Sequence, residues 1–237
     1  MKHIVLPVTA AALVAGLLGG CDNQKPDTQF SPEMASFANE FDFDPLLGPV
    51  KSFTQTVITS GGSVDRRVSA TLSPQGCIET LSLEDFTRDS EASLVLDGNF
   101  YRDAQSNEPR ISTQGTCQLA DIPATGLRYI TNDSDFIIGA SAKDLEIAYS
   151  YDKEGFPIGR IARQANDVLT TESQPLKDAK GKLDYQATMK ENDRLLSRAE
   201  QRCEYDRHRN PTSCSLVIEP AGKAAIKYSI ENTIDYY

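Results

Sequence analysis

The chain has no tryptophan, and only two of its 237 residues are histidine. His3 lies in an apolar leader, so the rest of the chain has His208 alone. A single imidazole argues against multi-histidine zinc sites and di-metal centres. Arg207 and Arg209 flank His208 in a turn, not a pocket, which makes it a poor candidate for catalysis. No Cys-x-x-Cys pair occurs, which leaves metal thiolates and dithiol redox chemistry without support. There is no Gly-x-Ser-x-Gly elbow. Gly181-Lys182 lacks the upstream glycine and following hydroxyl of a phosphate loop. Positive charge is scarce: 24 Lys and Arg against 34 Asp and Glu give −10. Loss of Lys2 with the leader leaves 23 against 34, or −11. Such a surface repels phosphates, so nucleic acid is not an expected partner. Asn132-Asp133-Ser134 fits a glycosylation sequon only by chance.

Apolar runs of spanning length are also missing. The longest, Ile4 to Leu18, falls short of the roughly 20 residues a transmembrane helix needs. It follows a short basic start, Met1-Lys2-His3, and ends in Leu17-Leu18-Gly19-Gly20-Cys21. That ending resembles the lipobox of bacterial lipoprotein precursors, cut before a cysteine that is then lipidated. Residues 1–20 are therefore expected to be a lipoprotein signal peptide. Residues 21–30 follow as the lipidated N-terminus and tether, with diacylglycerol and palmitate on Cys21 as the membrane attachment. Residues 31–237 form a single domain.

What fills that domain is β-structure. Short alternating runs recur at Val50 to Thr59, Arg67 to Leu72, Cys77 to Leu83 and Ser93 to Tyr101. They return at Leu145 to Tyr151, Cys214 to Ile218 and Ile226 to Ile230. Helix signals are few. Ser31 is a candidate N-cap with Pro32 at the first helical position, and Asp193 to Arg202 has helical composition in competition with strand pairing. A weak repeat reads Tyr-Asp, four residues, Pro: Tyr151-Asp152 to Pro157 and Tyr205-Asp206 to Pro211, with Leu72 to Ile78 a looser copy. Aspartate accepts turn amides and a positive-φ residue reverses the chain, so the repeat encodes hairpins rather than a ligand site. The expected fold is mainly β, an antiparallel meander of successive hairpins in an open or partly closed sheet with few short helices.

Four cysteines remain beyond Cys21, an even number in an exported chain, and three pairings are possible. Cys203–Cys214 is favoured because it brackets a hairpin, which leaves Cys77–Cys117. Glu40-Phe41-Asp42-Phe43-Asp44 sets three acids against two phenylalanines along an extended segment. No glycine-turned loop supports calcium there. The expectation is an edge that buries Phe41 and Phe43 while its acids stay wet. The acids between Asp85 and Asp103 default to solvated surface. No metal, cofactor or catalytic residue is expected.

Several longer stretches carry a resemblance. They include Ser31 to Phe37, Asn39 to Leu46, Gly48 to Lys51, Tyr101 to Ala104, Leu183 to Tyr185, Cys203 to Asp206 with Asn210-Pro211, and the ending Asn232 to Tyr237. In these the chain, nearly end to end, resembles the YnfC family of enterobacterial lipoproteins, which has no assigned activity. The resemblance implies a lipid-anchored envelope protein and supplies no catalytic residues. It also makes Asp22, directly after the lipidated cysteine, an inner-membrane retention signal, with the domain facing the periplasm. The function expected is a non-enzymatic binding or assembly module for an unknown envelope protein or small ligand. The alternative is a carboxylate-dependent periplasmic hydrolase.

Overall fold

A computed structural model describes residues 29–237. Cys21 and Asp22 lie outside the described residues. One helix is present among them, α1 (Pro32–Phe41). Ser31 caps it, its Oγ accepting from Met34 N at 3.2 Å, and Pro32 occupies the first turn, where no amide is needed. Asp42 ends it in the left-handed conformation at φ 57°. Sixteen strands follow: β1 (Val50–Thr59), β2 (Val64–Leu72), β3 (Ile78–Asp85), β4 (Ser90–Asp97), β5 (Phe100–Asp103), β6 (Pro109–Gln114), β7 (Gln118–Ile122) and β8 (Leu127–Thr131). Then come β9 (Ile137–Ala142), β10 (Leu145–Tyr151), β11 (Pro157–Gln164), β12 (Asp167–Pro175), β13 (Tyr185–Glu191), β14 (Arg194–Tyr205), β15 (Pro211–Pro220) and β16 (Ile226–Tyr236).

Each strand pairs antiparallel with the next, and β16 pairs with β1. The sheet is a closed barrel. This corrects the expectation of an open or partly closed sheet. An even strand count brings β16 back antiparallel to β1, and Val57↔Ile230 and Phe53↔Ile234 set apolar side chains together inside the seam. Two local readings also change, and a third is decided. Ser93 to Tyr101 is two strands, split at Gly98-Asn99. For Asp193 to Arg202, where helical composition competes with strand pairing, pairing prevails: Asp193 is in a turn and the strand runs from Arg194, with β14 paired to β13 and β15. Residues 40–44 are not an extended edge.

Those residues belong to a plug. Phe30 N donates to Glu154 O at one end of the barrel. From there α1 rises through the interior, the chain reverses at Asp42, and residues 43–49 descend to the start of β1. Met34, Phe37, Ala38 and Phe43 pack in one buried cluster with inward residues of the wall from Phe53 on β1 to Tyr149 on β10. Ser36 Oγ accepts from Ile137 N at 3.1 Å. Phe30, Ala35 and Leu47 join a second cluster with Phe156, Leu183, Ile230 and the Cys203–Cys214 disulfide. The other disulfide joins Cys77 to Cys117.

The end where the plug enters is closed by a repeated turn. Asp152, Asp206, Ser73 and Asn132 each place a side-chain oxygen on amides of their own turn. The backbone N of each donates to the carbonyl four residues on, as in Asp152 N to Phe156 O. The reversing residue has positive φ in all four: Gly155, Arg209, Gly76 and Asp135. Asn210, fully buried, pins this end to the plug. Its Oδ1 accepts from Leu47 N at 2.6 Å, and its Nδ2 donates to Leu47 O at 2.8 Å and to Tyr236 Oη at 2.9 Å.

Candidate functional site

The plug fills the half of the lumen under β1–β10 and leaves a cavity of about 510 Å³ beside β11–β16. Its lining runs from Phe156 and Leu183 near the closed end to Asp65, Arg66, Asp85 and Arg88 at the opposite end, where it opens. Inward positions of five strands make the wall: Ile158 and Arg160, Thr171 and Ser173, Tyr185 and Ala187, Ala199 and Gln201, Leu216 and Ile218. Val57, Tyr228 and Ile230 complete it. An outer groove of about 700 Å³ lies behind the same wall, but its outward lining is Glu172, Gln186, Arg198, Glu200 and similar solvated groups. The lumen is the better candidate, because polar groups converge there among apolar side chains.

Asp44, brought in by the descending arm of the plug, is the deepest of these. Its amide donates to Gln55 Oε1 at 3.0 Å, and its Oδ2 accepts from Gln201 Nε2 at 2.9 Å. Gln55 Nε2 in turn donates to Asn232 Oδ1, and Tyr185 Oη to Gln201 Oε1. Burial pushes the Asp44 carboxyl up to about 6; the nearby charge of Asp42 adds to this, while Gln201 and Arg66 oppose it. Burial also raises the Tyr185 phenol, with the Asp44 charge next. At the mouth, Arg66 pairs with Asp42 at 2.6 Å and Arg88 with Asp85 at 3.7 Å. Deeper in the plug, Glu40 accepts from Tyr129 Oη at 2.8 Å and Tyr149 Oη at 2.5 Å. Burial, then the Glu40 charge, raises both phenols.

The segment Glu40 to Asp44 therefore differs from its expected form. Phe43 is buried as expected, but Glu40 faces the lumen because α1 itself runs inside the barrel, and Asp44 does so because the left-handed reversal at Asp42 sends the chain back down beside it. Only Asp42 stays wet, its side chain 86% exposed. Of the acids between Asp85 and Asp103, Asp85 reaches the cavity mouth. His208 lies at the closed end, its ring stacked on Tyr236 at 4.0 Å. Gln55, Gln201 and Arg160 were not singled out from the sequence. Each interrupts an inward apolar alternation: Phe53-x-Gln55-x-Val57, Ala199-x-Gln201-x-Cys203, Ile158-x-Arg160-x-Ala162. A polar residue in an inward register position was the available signal.

The uncharacterised protein family UPF0257 matches residues 4–237. "UPF0257 lipoprotein YnfC" of Escherichia coli O81 (strain ED1a) is 46% identical over 240 residues, covering 100% of both chains. The protein of the same name from Salmonella dublin is 45% identical over 228 residues, 95% of this chain and 97% of its own. Among solved structures, a porin-like protein from Bacteroides uniformis ATCC 8492 superposes with a TM-score of 0.48 at 12% identity. It covers 79% of this chain and 98% of its own.

Proposed function

The chain belongs to the uncharacterised family UPF0257, with lipoproteins as its relatives, and from that premise we propose a lipid-anchored envelope barrel that stands in water and binds a small molecule in its lumen. The cavity carries this reading: about 510 Å³, open at one end, with walls that mix apolar side chains and the converging polar groups Asp44, Gln55, Gln201 and Arg160. Volumes of this order suit small-molecule ligands. The outer face supports the placement in water. Outward positions are Ser52, Thr54 and Thr56 on β1, Arg67, Ser69 and Thr71 on β2, Thr80, Ser82 and Glu84 on β3, and Lys227, Ser229, Glu231, Thr233 and Asp235 on β16. A membrane-spanning barrel turns an apolar band about 25 Å tall outward. These outward positions are polar instead, and the exposed apolar residues Val95, Ile130 and Ile138 on β4, β8 and β9 form no such band.

In this reading Cys21 carries the diacylglycerol and palmitate, and Asp22 holds the protein at the inner membrane, facing the periplasm. Nine peptide steps separate Cys21 from Phe30, at most about 30 Å of chain. Phe30 enters at the closed end, so the cavity mouth points away from the bilayer. One observation favours the hydrolase as a second reading: Asp44 is a buried carboxyl held near 6, a value suited to proton transfer. Asp44→Asn separates the two, abolishing hydrolysis in one case and sparing binding in the other.

Ala199→Phe tests the cavity directly, since it puts a ring into the lumen from an inward position. The full-length lipidated protein should bind tritiated dodecanol, and the variant should lose that binding while melting as a folded protein. Equal binding by the two refutes the reading.

A further inference from the structure

We propose that the lumen cavity takes an amphiphile with an anionic, acceptor-rich head, a carboxylate or a phosphate, and that Arg160 receives it. This rests on the cavity reading above and names the chemistry of its ligand.

Arg160 occupies an inward position on β11, between Tyr149 on β10 and Thr171 on β12. Arg160 is half-buried there, and the part of its guanidinium that leaves water needs a carboxylate or hydrogen-bond acceptors. Among the described residues it has no carboxylate partner within ion-pair distance, and its buried Nε makes no hydrogen bond. Glu40, the acid on the adjoining face of the plug, has one carboxylate oxygen taken by Tyr129 and the other by Tyr149. The guanidinium rests over the Tyr149 ring, 5.7 Å from its centroid, which holds it against the wall of the cavity.

The unpaired polar atom on this lining, Arg160 Nε, is a nitrogen that donates. It calls for an acceptor, and the positive charge of its guanidinium calls for an anion. Asp44, the cavity's own deep carboxylate, already accepts from Gln201 and does not compete for Arg160 through an ion pair. Away from Arg160 the lining turns apolar at Val57, Phe156, Leu183, Leu216 and Ile230, which would accept the body of the molecule. A cation without an ion-pair partner and an apolar stretch on one lining suit a single-chain amphiphile.

The test uses four twelve-carbon ligands that differ only in the head: laurate, dodecyl phosphate, dodecanol and dodecylamine. Tritiated ligands are titrated against full-length lipidated protein in digitonin micelles. Ratios between wild type and variant cancel partition into the micelle. At least one anion should bind about tenfold tighter than dodecanol, and dodecylamine weakest. The tighter anion identifies whether the head is a carboxylate or a phosphate. Arg160→Gln should bring the anions down to the level of dodecanol, and Arg160→Lys should retain part of the preference. Melting curves establish that both variants are folded. Tightest binding by dodecylamine, or an anion preference that survives Arg160→Gln, overturns the proposal. Failure of dodecanol itself, with no effect of Ala199→Phe, would instead take down the cavity reading.

Discussion

Asp44→Asn should make the protein more stable at pH 7.5 and less stable, by about 1 kcal/mol, near pH 3. The Asp44 carboxyl has a folded pKa raised from 3.8 to about 6 by burial. Between those values the folded state holds a proton that the unfolded chain has released. Stability from this group is therefore fully present below about pH 4 and is lost as pH rises through about 6, the reverse of a salt-bridged carboxylate. A shift of about two units corresponds to roughly 3 kcal/mol at neutral pH. Asparagine keeps an oxygen for Gln201 Nε2 but brings an amide group whose donors lack an assured partner, a cost of about 1 kcal/mol. The net gain is about 2 kcal/mol, or roughly 4–8 °C in Tm for a domain of this size. Melting followed by far-UV circular dichroism, wild type against variant at pH 3 and 7.5, isolates the group, since all other titrations cancel in the difference. A variant less stable at pH 7.5, or a gain equal at both pH values, would refute the assignment of Asp44 as a desolvated carboxyl.

Asn210→Ala should cost about 2–4 kcal/mol, because it removes three hydrogen bonds and orphans both polar groups of Leu47. Hydrogen exchange should rise first at residues 43–49 and 206–211. Removing Cys77–Cys117 by double serine substitution should cost about 4 kcal/mol, and removing Cys203–Cys214 about 3, following loops of 40 and 11 residues. Denaturant titration checks the order. Metabolic labelling with a palmitate analogue should mark the wild type and not Cys21→Ala; equal labelling would remove the anchor from the proposal. Membrane fractionation should place the wild type in the inner membrane and Asp22→Ser in the outer. A wild type already in the outer membrane would refute retention.

Features set by neighbouring residues were legible in the sequence. Ser31-Pro32 marks the start of α1 because a cap needs only an oxygen and a missing amide. The Asp152 and Asp206 turns were legible because tyrosine, aspartate and proline punctuate them. The equivalent turn at Asn132 escaped notice because threonine precedes it and no proline follows. Gly98-Asn99 hid inside an apparently continuous strand, since a two-residue turn barely interrupts alternation. Leu, Ala, Glu and Arg gave Asp193 to Arg202 a helical composition, which pairing on both sides overrode. Closure was not legible because it depends on residues 50 and 236 meeting, and no local pattern reports that. The site followed the same rule: Gln55, Gln201 and Arg160 become neighbours of a lumen only once the barrel exists.

That seam makes the order of synthesis matter. α1 is made first and must end up enclosed, while β16 comes after every other strand and supplies the closure. Until β16 arrives, β1 and β15 are bare edges, and the apolar lumen has no fourth side. A nascent or exported chain is therefore most exposed to strand addition by a second copy in the interval before its final hairpin is delivered. A stop codon anywhere in the last dozen residues would prolong that interval indefinitely. The C-terminal tyrosines then act as a latch: Tyr236 holds Asp206 and Asn210, and Tyr237 donates to Leu72 O, so the last residues fasten the end through which the plug entered.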